Sequence, residues 1–364
     1  MNSEASLERQ GPDVVATSDE ALGLERPPLL VLDRLAQFLD EHGLGAGPLA
    51  VERIGEGGGS NVSYLVEREG AKLVVRRPPR PPLPPSAHDM VREARLQLAL
   101  TGSNVRLPRI RAVCEDVEVL GVPFYVMDFI DGDVVTDVLP PAVEDAASRR
   151  ALGLDFVDAL AEIHSVDVAT PALAPFIRSG SYLERQVRRF SELWEINRTR
   201  DVPAVTAATR ALAAAVPAVS MPAVVHGDYR MGNVIVSKDA PQVVAVLDWE
   251  MGAVGDARAD LGYLLAMYSE PGGTPTPLGT SPVTATPGFP SKSELVDRYA
   301  ATTGADIPEL GWFVALALWK AAVFGEGIYD RYRRGVLSSE DEFAARFESA
   351  VPALAEAALA ELRA

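Results

Sequence analysis

Val224-Val-His-Gly-Asp-Tyr-Arg-Met-Gly-Asn-Val-Ile-Val236, followed by Leu247-Asp-Trp-Glu250, is the stretch on which the reading of this 364-residue chain turns. Short apolar runs flank a polar loop that holds Asp228 and Asn233, and a second arm, Val243–Leu247, delivers Asp248 at its end. An aspartate and an asparagine five apart on a tight loop, facing another aspartate at a neighbouring strand end, offer hard oxygen donors and no soft one. That set suits Mg2+, which prefers oxygen and keeps waters and substrate phosphates in its shell. Taken singly, an Asp or Asn in a loop caps a helix or makes a turn. The combination at this spacing is what points to chemistry.

Working outward, residues 1–28 are polar and aperiodic and end in Arg-Pro-Pro, which predicts a mobile arm. Leu29–His42 repeats leucine at helical spacing, with Gly43 as a stop. Leu49–Ile54, Asn61–Glu67 and Lys72–Arg77 read as a meander whose first turn, Gly55–Ser60, is glycine-rich. Pro78–Pro85 has six prolines in eight positions and is a stiff connector. Ser86–Asp89 has capping-box form ahead of a helix that places Glu93, Leu96 and Leu100 on one face. Ile110–Cys114 and Phe124–Phe129 are further strands. Beyond about residue 130 the pattern turns helical, clearest over Asp145–His164 and Tyr182–Asn197. Pro271–Pro290 is rich in Gly, Pro, Thr and Ser and predicts a lid or a disordered loop. The expected architecture is α+β and bilobal: an arm over 1–28, a small antiparallel β-sheet lobe over 29–130 and a larger, mainly helical lobe over 131–364. A cleft between lobes is the natural place for a ligand.

Composition narrows the partners. With 48% hydrophobic residues the chain can fill a core, and its formal charge of -17 disfavours nucleic acid and anionic lipid. The charge is unevenly spread: residues 50–111 hold 11 basic and 6 acidic side chains. One cysteine, Cys114, excludes an internal disulfide and any cysteine zinc site, which fits a cytoplasmic protein. The N-terminus has no apolar signal region, and the longest apolar runs, Trp312–Trp319 and Ala213–Val219, are shorter than a membrane span. Oligomeric state is left open.

The motif His-Gly-Asp-x4-Asn, with its later Asp-aromatic-acidic turn, resembles the catalytic and metal loops of protein-kinase-like phosphotransferases. Gly-Asp in place of Arg-Asp is similar to the aminoglycoside phosphotransferase and choline kinase branch, as are Leu160-Ala-Glu-Ile-His164 and Gly255-Asp-Ala-Arg-Ala-Asp-Leu261. GGGSNVSYLV and LVVRRPP resemble most the kinase-like domains appended to some acyl-CoA dehydrogenases and their free-standing bacterial relatives. The resemblance implies a protein-kinase-like fold using ATP and Mg2+. It makes Asp228 the residue that orients an acceptor hydroxyl and takes its proton, gives Asn233 and Asp248 the metal, and has His226 brace the loop. Asp256 and Asp260 would anchor the loop and start the next helix.

In the small lobe the resemblance implies that Gly55, Gly57, Gly58, Gly59 and Ser60 fold over the phosphates and offer backbone N–H groups. Kinases carry a lysine on the third strand, whereas this chain reads Val74-Val75-Arg76-Arg77. Alternation puts Arg76 on the face of Val74, so Arg76 is expected at the phosphates with Glu93 as its helix partner. Tyr125–Asp131 would be the hinge, with Asp128 and Phe129 reading adenine through their peptide groups. The acidic residues Asp131, Asp133 and Asp137 suit either a cationic substrate or plain solvation. The implied function is phosphorylation of a small-molecule hydroxyl, on a hydroxylated metabolite or a hydroxyacyl thioester. Arg76 in place of lysine motivates an alternative: a nucleotide-binding pseudokinase acting as a regulatory module.

Overall fold

The computed structural model describes residues 12–55, 61–81, 88–218, 220–273, 282–307, 310–335 and 342–363. The chain divides into one unit of residues 1–101 and 107–130 and another of residues 102–106 and 131–364.

Strict alternation builds the first unit. Strands β3 (Ala46–Ile54), β4 (Val62–Glu69), β5 (Ala71–Arg77), β6 (Ile110–Cys114) and β7 (Phe124–Asp128) form one antiparallel sheet in the order β3-β4-β5-β7-β6. Because side chains alternate across a strand, β5 sends Leu73 and Val75 to one face and Val74 to the other. Leu73 and Val75 pack with Val66 and Val126 against Leu35, Phe38 and Leu39 of helix α2 (Leu32–Glu41). Val74 packs with Tyr125 and Met127 against Met90 and Ala94 of helix α3 (Met90–Ala99). Arg77 follows the α2 face. Its guanidinium is buried and donates to the carbonyls of Pro78 (3.0 Å), Leu29 and, at the end of the short helix α4 (Val117–Leu120), Leu120 (3.3 Å), so it braces backbone. Burial lowers its pKa to about 10, which leaves it charged at neutral pH.

Two expectations for this unit change. Residues 12–28 are not a mobile arm. Val14–Val15 (β1) pairs in parallel with Leu30–Val31 (β2), Ser18–Leu22 (α1) is capped by Thr17, and Asp13 bridges Arg53 (3.3 Å) and Arg80 (2.6 Å). Elements this short carry no periodicity to read. The α3 cap is Asp89, whose carboxylate accepts from Arg92 N–H at 2.9 Å, while Ser86 lies outside the described residues.

The second unit is helical around a long central helix. Helix α5 (Ala146–His164) starts in a capping box between Asp145 and Ser148, and α6 (Tyr182–Asn197) is capped by Ser181. With α7 (Pro203–Ala214), α10 (Gly311–Arg333) and α11 (Glu342–Glu361), α6 encloses a core of Phe190, Trp194, Leu212, Trp319, Val323, Val351 and Leu354. Helix α10 is long and apolar enough to cross a membrane by length and composition, yet 72% of its apolar window is buried within the protein. Strands β8 (Asp133–Val134), β10 (Val234–Val236) and β11 (Val243–Val246) make one small antiparallel sheet, and β9 (Pro222–Val225) pairs with β12 (Ala253–Asp256) in another. Helices α8 (Ala257–Met267) and α9 (Lys292–Thr303) complete the unit.

The segment expected to be a lid or a disordered loop, 271–290, is packed at its C-terminal end. Pro282–Ala285 forms a 3-10 turn, Val283, Thr284 and Phe289 are buried, and Ser269 N–H donates to Thr284 Oγ1 at 2.9 Å. Residues 274–281 lie outside the described set.

Leu35→Ala should cost the first unit about 2–5 kcal/mol, because the emptied site lies between α2 and the sheet. Leu98→Ala on the exposed side of α3 should change stability by less than about 0.5 kcal/mol. Urea unfolding followed by circular dichroism compares the two.

Candidate active site

The loop between β9 and β10 carries the site, and a buried carboxylate sets its shape. Asp260, in the first turn of α8, accepts the backbone N–H of His226 (2.6 Å) and of Gly227 (2.8 Å) on its two oxygens. His164, at the end of α5, adds a third bond from Nε2 at 3.3 Å, and its Nδ1 meets Tyr299 Oη at 2.6 Å. Burial works to raise the Asp260 pKa, but the His164 bond together with His226 outweighs it and holds the carboxyl below its usual value. Gly227 has φ 86°, and a Cβ there would lie 2.8 Å from Met251 Cβ, so only glycine fits beneath the loop.

His226 ties the loop to the arm that ends in Asp248. Its Nδ1 accepts Asp228 N–H (3.2 Å), which fixes the tautomer, and its Nε2–H donates to Leu247 carbonyl (2.8 Å). Leu247 N–H donates in turn to the Asn233 carbonyl (2.8 Å). Trp249 is fully buried, edge-on to His226 at 4.9 Å. Asp248 itself sits at φ 66°, ψ 64°, a left-handed conformation that side chains larger than glycine adopt at a cost.

Both oxygens of Asp228 are held. Oδ2 accepts from Asn233 Nδ2 at 2.8 Å, and Oδ1 accepts a short bond from Tyr263 Oη, with Arg230 Nε at 3.6 Å. Asn233 Nδ2 also donates to the Asp228 carbonyl (2.8 Å). The amide nitrogen is thus spent on Asp228, and Asn233 Oδ1 makes no hydrogen bond among the described residues. An amide oriented in this way presents oxygen to a cation. Among the described residues no cluster of three His, Cys, Asp or Glu could hold a metal. A cation here would rest on Asp248 and Asn233 Oδ1 and draw its other ligands from water and phosphate, which is the habit of Mg2+.

In the first unit, Arg76 Nε lies 3.2 Å from Glu93 Oε1, and Tyr125 Oη donates to the same oxygen at 2.9 Å. Glu93 is almost wholly buried, and the Arg76 side chain is 13% exposed. Gly55 closes β3 at φ 81° and is exposed, whereas Gly57, Gly58, Gly59 and Ser60 lie outside the described residues. The hinge expectation is corrected in one respect. The N–H groups of Asp128 and Phe129 are spent on the carbonyls of Arg109 (2.9 Å) and Lys72 (3.3 Å), so neither is a donor for adenine. The Asp128 carboxylate accepts from Arg111 Nε at 2.6 Å.

Asp256 caps α8 and grips Arg258 through both oxygens (2.9 and 2.7 Å). Sequence reasoning missed Tyr263. It lies 35 residues beyond Asp228, in a run, Leu261–Met267, whose apolar neighbours read as core. Its helical offset of three from Asp260 places both on the face toward the loop, and this was the available signal.

Comparison with known proteins gives the following. The model of the phosphotransferase enzyme family (APH) matches residues 51–312. Acyl-CoA dehydrogenase family member 11 of Gallus gallus is 34% identical over 86% of this chain and 40% of its own length, and that of Pongo abelii is 31% identical over 89% and 42%. The chain therefore spans about two fifths of the length of these relatives. A solved structure from Ralstonia eutropha, provisionally called an aminoglycoside phosphotransferase, superposes with a TM-score of 0.76 at 27% identity, covering 91% of this chain and 98% of that one.

Asp260→Asn should destabilise the second unit by about 3 kcal/mol at neutral pH, because it weakens the acceptor for two buried N–H donors. The Asp260 pKa is depressed, so its contribution is complete above the unfolded value of about 4 and is lost as pH falls through the folded one. The wild-type advantage over Asp260→Asn should accordingly shrink below about pH 4 in urea titrations.

Proposed function

The chain belongs to the phosphotransferase enzyme family, and from that premise we propose that it is an ATP- and Mg2+-dependent small-molecule kinase that phosphorylates an alcohol. One observation carries the reading: the Asp228 carboxylate is fixed from both sides by Asn233 and Tyr263, on a loop whose asparagine keeps an oxygen for a cation. In this reading the acceptor hydroxyl is oriented by Asp228, and its oxygen forms the new bond to the γ-phosphorus as the bond to the bridging oxygen of the nucleotide breaks. The hydroxyl proton passes to Asp228. In a loose transition state that transfer comes late, so a weak base suffices and orientation matters most.

Asp248 and Asn233 would hold Mg2+, which would supply charge neutralisation for the phosphates. Arg76, set by Glu93 and Tyr125, is the phosphate-binding cation of the first unit. Arginine meets phosphate as a planar fork where lysine is a point charge, so the substitution changes geometry and keeps the charge. The match to acyl-CoA dehydrogenase family members supports a hydroxylated metabolite or a hydroxyacyl thioester as the acceptor. Arg76 also favours a second reading, a nucleotide-binding regulatory module. ATP turnover over a panel of hydroxylated compounds separates the two, since equal, negligible turnover by wild type and Asp228→Ala would leave only the second.

Asp228→Ala should lower kcat by about 10²–10⁴ with unchanged circular dichroism. Asp248→Ala should abolish Mg2+-dependent transfer while leaving the fold intact. Tyr263→Phe removes one charge-assisted bond and should cost about 10–100-fold in kcat, read by coupled ADP release.

A further inference from the structure

Among the described residues only two that are not glycine take a left-handed backbone: Asp248, at the candidate metal position, and His88, at φ 59°. That conformation costs free energy in a residue with a side chain and persists where the surroundings impose it, which is why it gathers at functional sites. His88 stands one residue before Asp89, the cap of α3, and its carbonyl accepts Met90 N–H at 3.0 Å. Turning the chain into a helix does not by itself require a histidine, because glycine makes the same turn without the penalty. What glycine lacks is the side chain, and here the side chain has a partner 27 residues away.

His88 Nδ1 lies 2.7 Å from Asn61 Oδ1. An amide oxygen only accepts, so the imidazole carries a proton on Nδ1 and donates it. Asn61 is buried and is the residue from which the chain enters β4 after the glycine-rich turn. Two residues on, Ser63 stands between Ile54 at the end of β3 and Arg76 on β5. On the other side of the bond Asp89 leads into α3, whose Glu93 reaches Arg76 Nε at 3.2 Å. The bond therefore closes a circuit. It runs from Asn61 to Ser63 along β4, across the sheet to Arg76, through the ion pair to Glu93, and back along α3 to His88. Sheet and helix are pinned together at the end of the sheet where β3 reaches Gly55.

We propose that His88 is a positioning residue for the phosphates of a nucleotide: by holding Asn61 to the helix of Glu93, it fixes the outgoing end of the glycine-rich turn relative to the Arg76 guanidinium. The proposal rests on the kinase reading above, in that it takes this face of the first unit as the phosphate-binding one. His88 takes no part in bond making. Without its bond, α3 with Glu93 and the β3–β4 end of the sheet shift separately, and a phosphate chain meets an arginine and a turn no longer in fixed register.

Calorimetric binding of ATP and of adenosine to the full chain tests it, with His88→Gly, Asn61→Ala and the double variant. His88→Gly relieves the backbone and removes the bond. It should weaken ATP binding about five- to tenfold, the worth of one hydrogen bond, leave adenosine affinity unchanged and melt within about 3 °C of wild type. In the Asn61→Ala background the same substitution should add nothing. Asn61→Ala alone should also weaken ATP and spare adenosine, and it decides the matter if His88→Gly fails to fold. Unaltered ATP affinity in His88→Gly overturns the proposal, as does equal weakening of ATP and adenosine, which is what a merely structural role gives. Additive effects of the two substitutions overturn it too, as does a wild type that binds ATP no better than adenosine. A His88-dependent preference for ATP over adenosine without phosphoryl transfer to any acceptor would uphold the positioning role and remove the kinase reading. Phosphoryl transfer with a KM for ATP unaltered by His88→Gly would do the reverse.

Discussion

One buried carboxylate organises the second unit. Asp260 gathers two consecutive backbone N–H groups of the loop and a histidine from a helix nearly a hundred residues upstream, at the point where β9 gives way to the loop. Buried N–H donors must be paired, and a side-chain acceptor is the means where the backbone turns away from its strand partner. Everything chemically interesting then follows by short links. His226 is placed by its own N–H and spans to Leu247, Leu247 is bonded to Asn233, and Asn233 holds Asp228. The apparatus is rigid because its members are tied to backbone, which does not choose among rotamers.

The same economy explains what the sequence discloses and what it hides. The strands around the loop, the helices Asp145–His164 and Tyr182–Asn197, and the alternation that separates Arg76 from Arg77 are all local patterns, and the structure reproduces them to within a residue or two. The pairing of Arg76 with Glu93 was legible because a carboxylate on an apolar helix face needs a cation. Tyr263 was not legible. It sits in an apolar helix where a tyrosine reads as an amphipathic core residue, and its meaning arises only when a loop far away in sequence is folded against it.

Composition misled in two places for one reason. Residues 12–28 and 282–290 are polar, proline-rich or threonine-rich, and neither shows a period. Both are nonetheless fixed, the first by a two-residue parallel strand pair and ion pairs from Asp13, the second by Thr284 and Phe289 entering the interior. Periodicity detects elements long enough to repeat. Segments held by single anchors carry no such signature, although they order the chain just as firmly.

Helix α10 has a consequence for synthesis. Its apolar faces are covered in part by Phe347, Val351, Leu354 and Ala358 of α11, the last helix described. A chain emerging from the ribosome therefore presents a 23-residue helix of membrane-like hydropathy before the segment that covers it exists. For that interval the nascent protein depends on α6, α7 and α8 to shield it, and a chain shortened ahead of α11 would keep the surface that α11 covers exposed to chaperones and to its own copies.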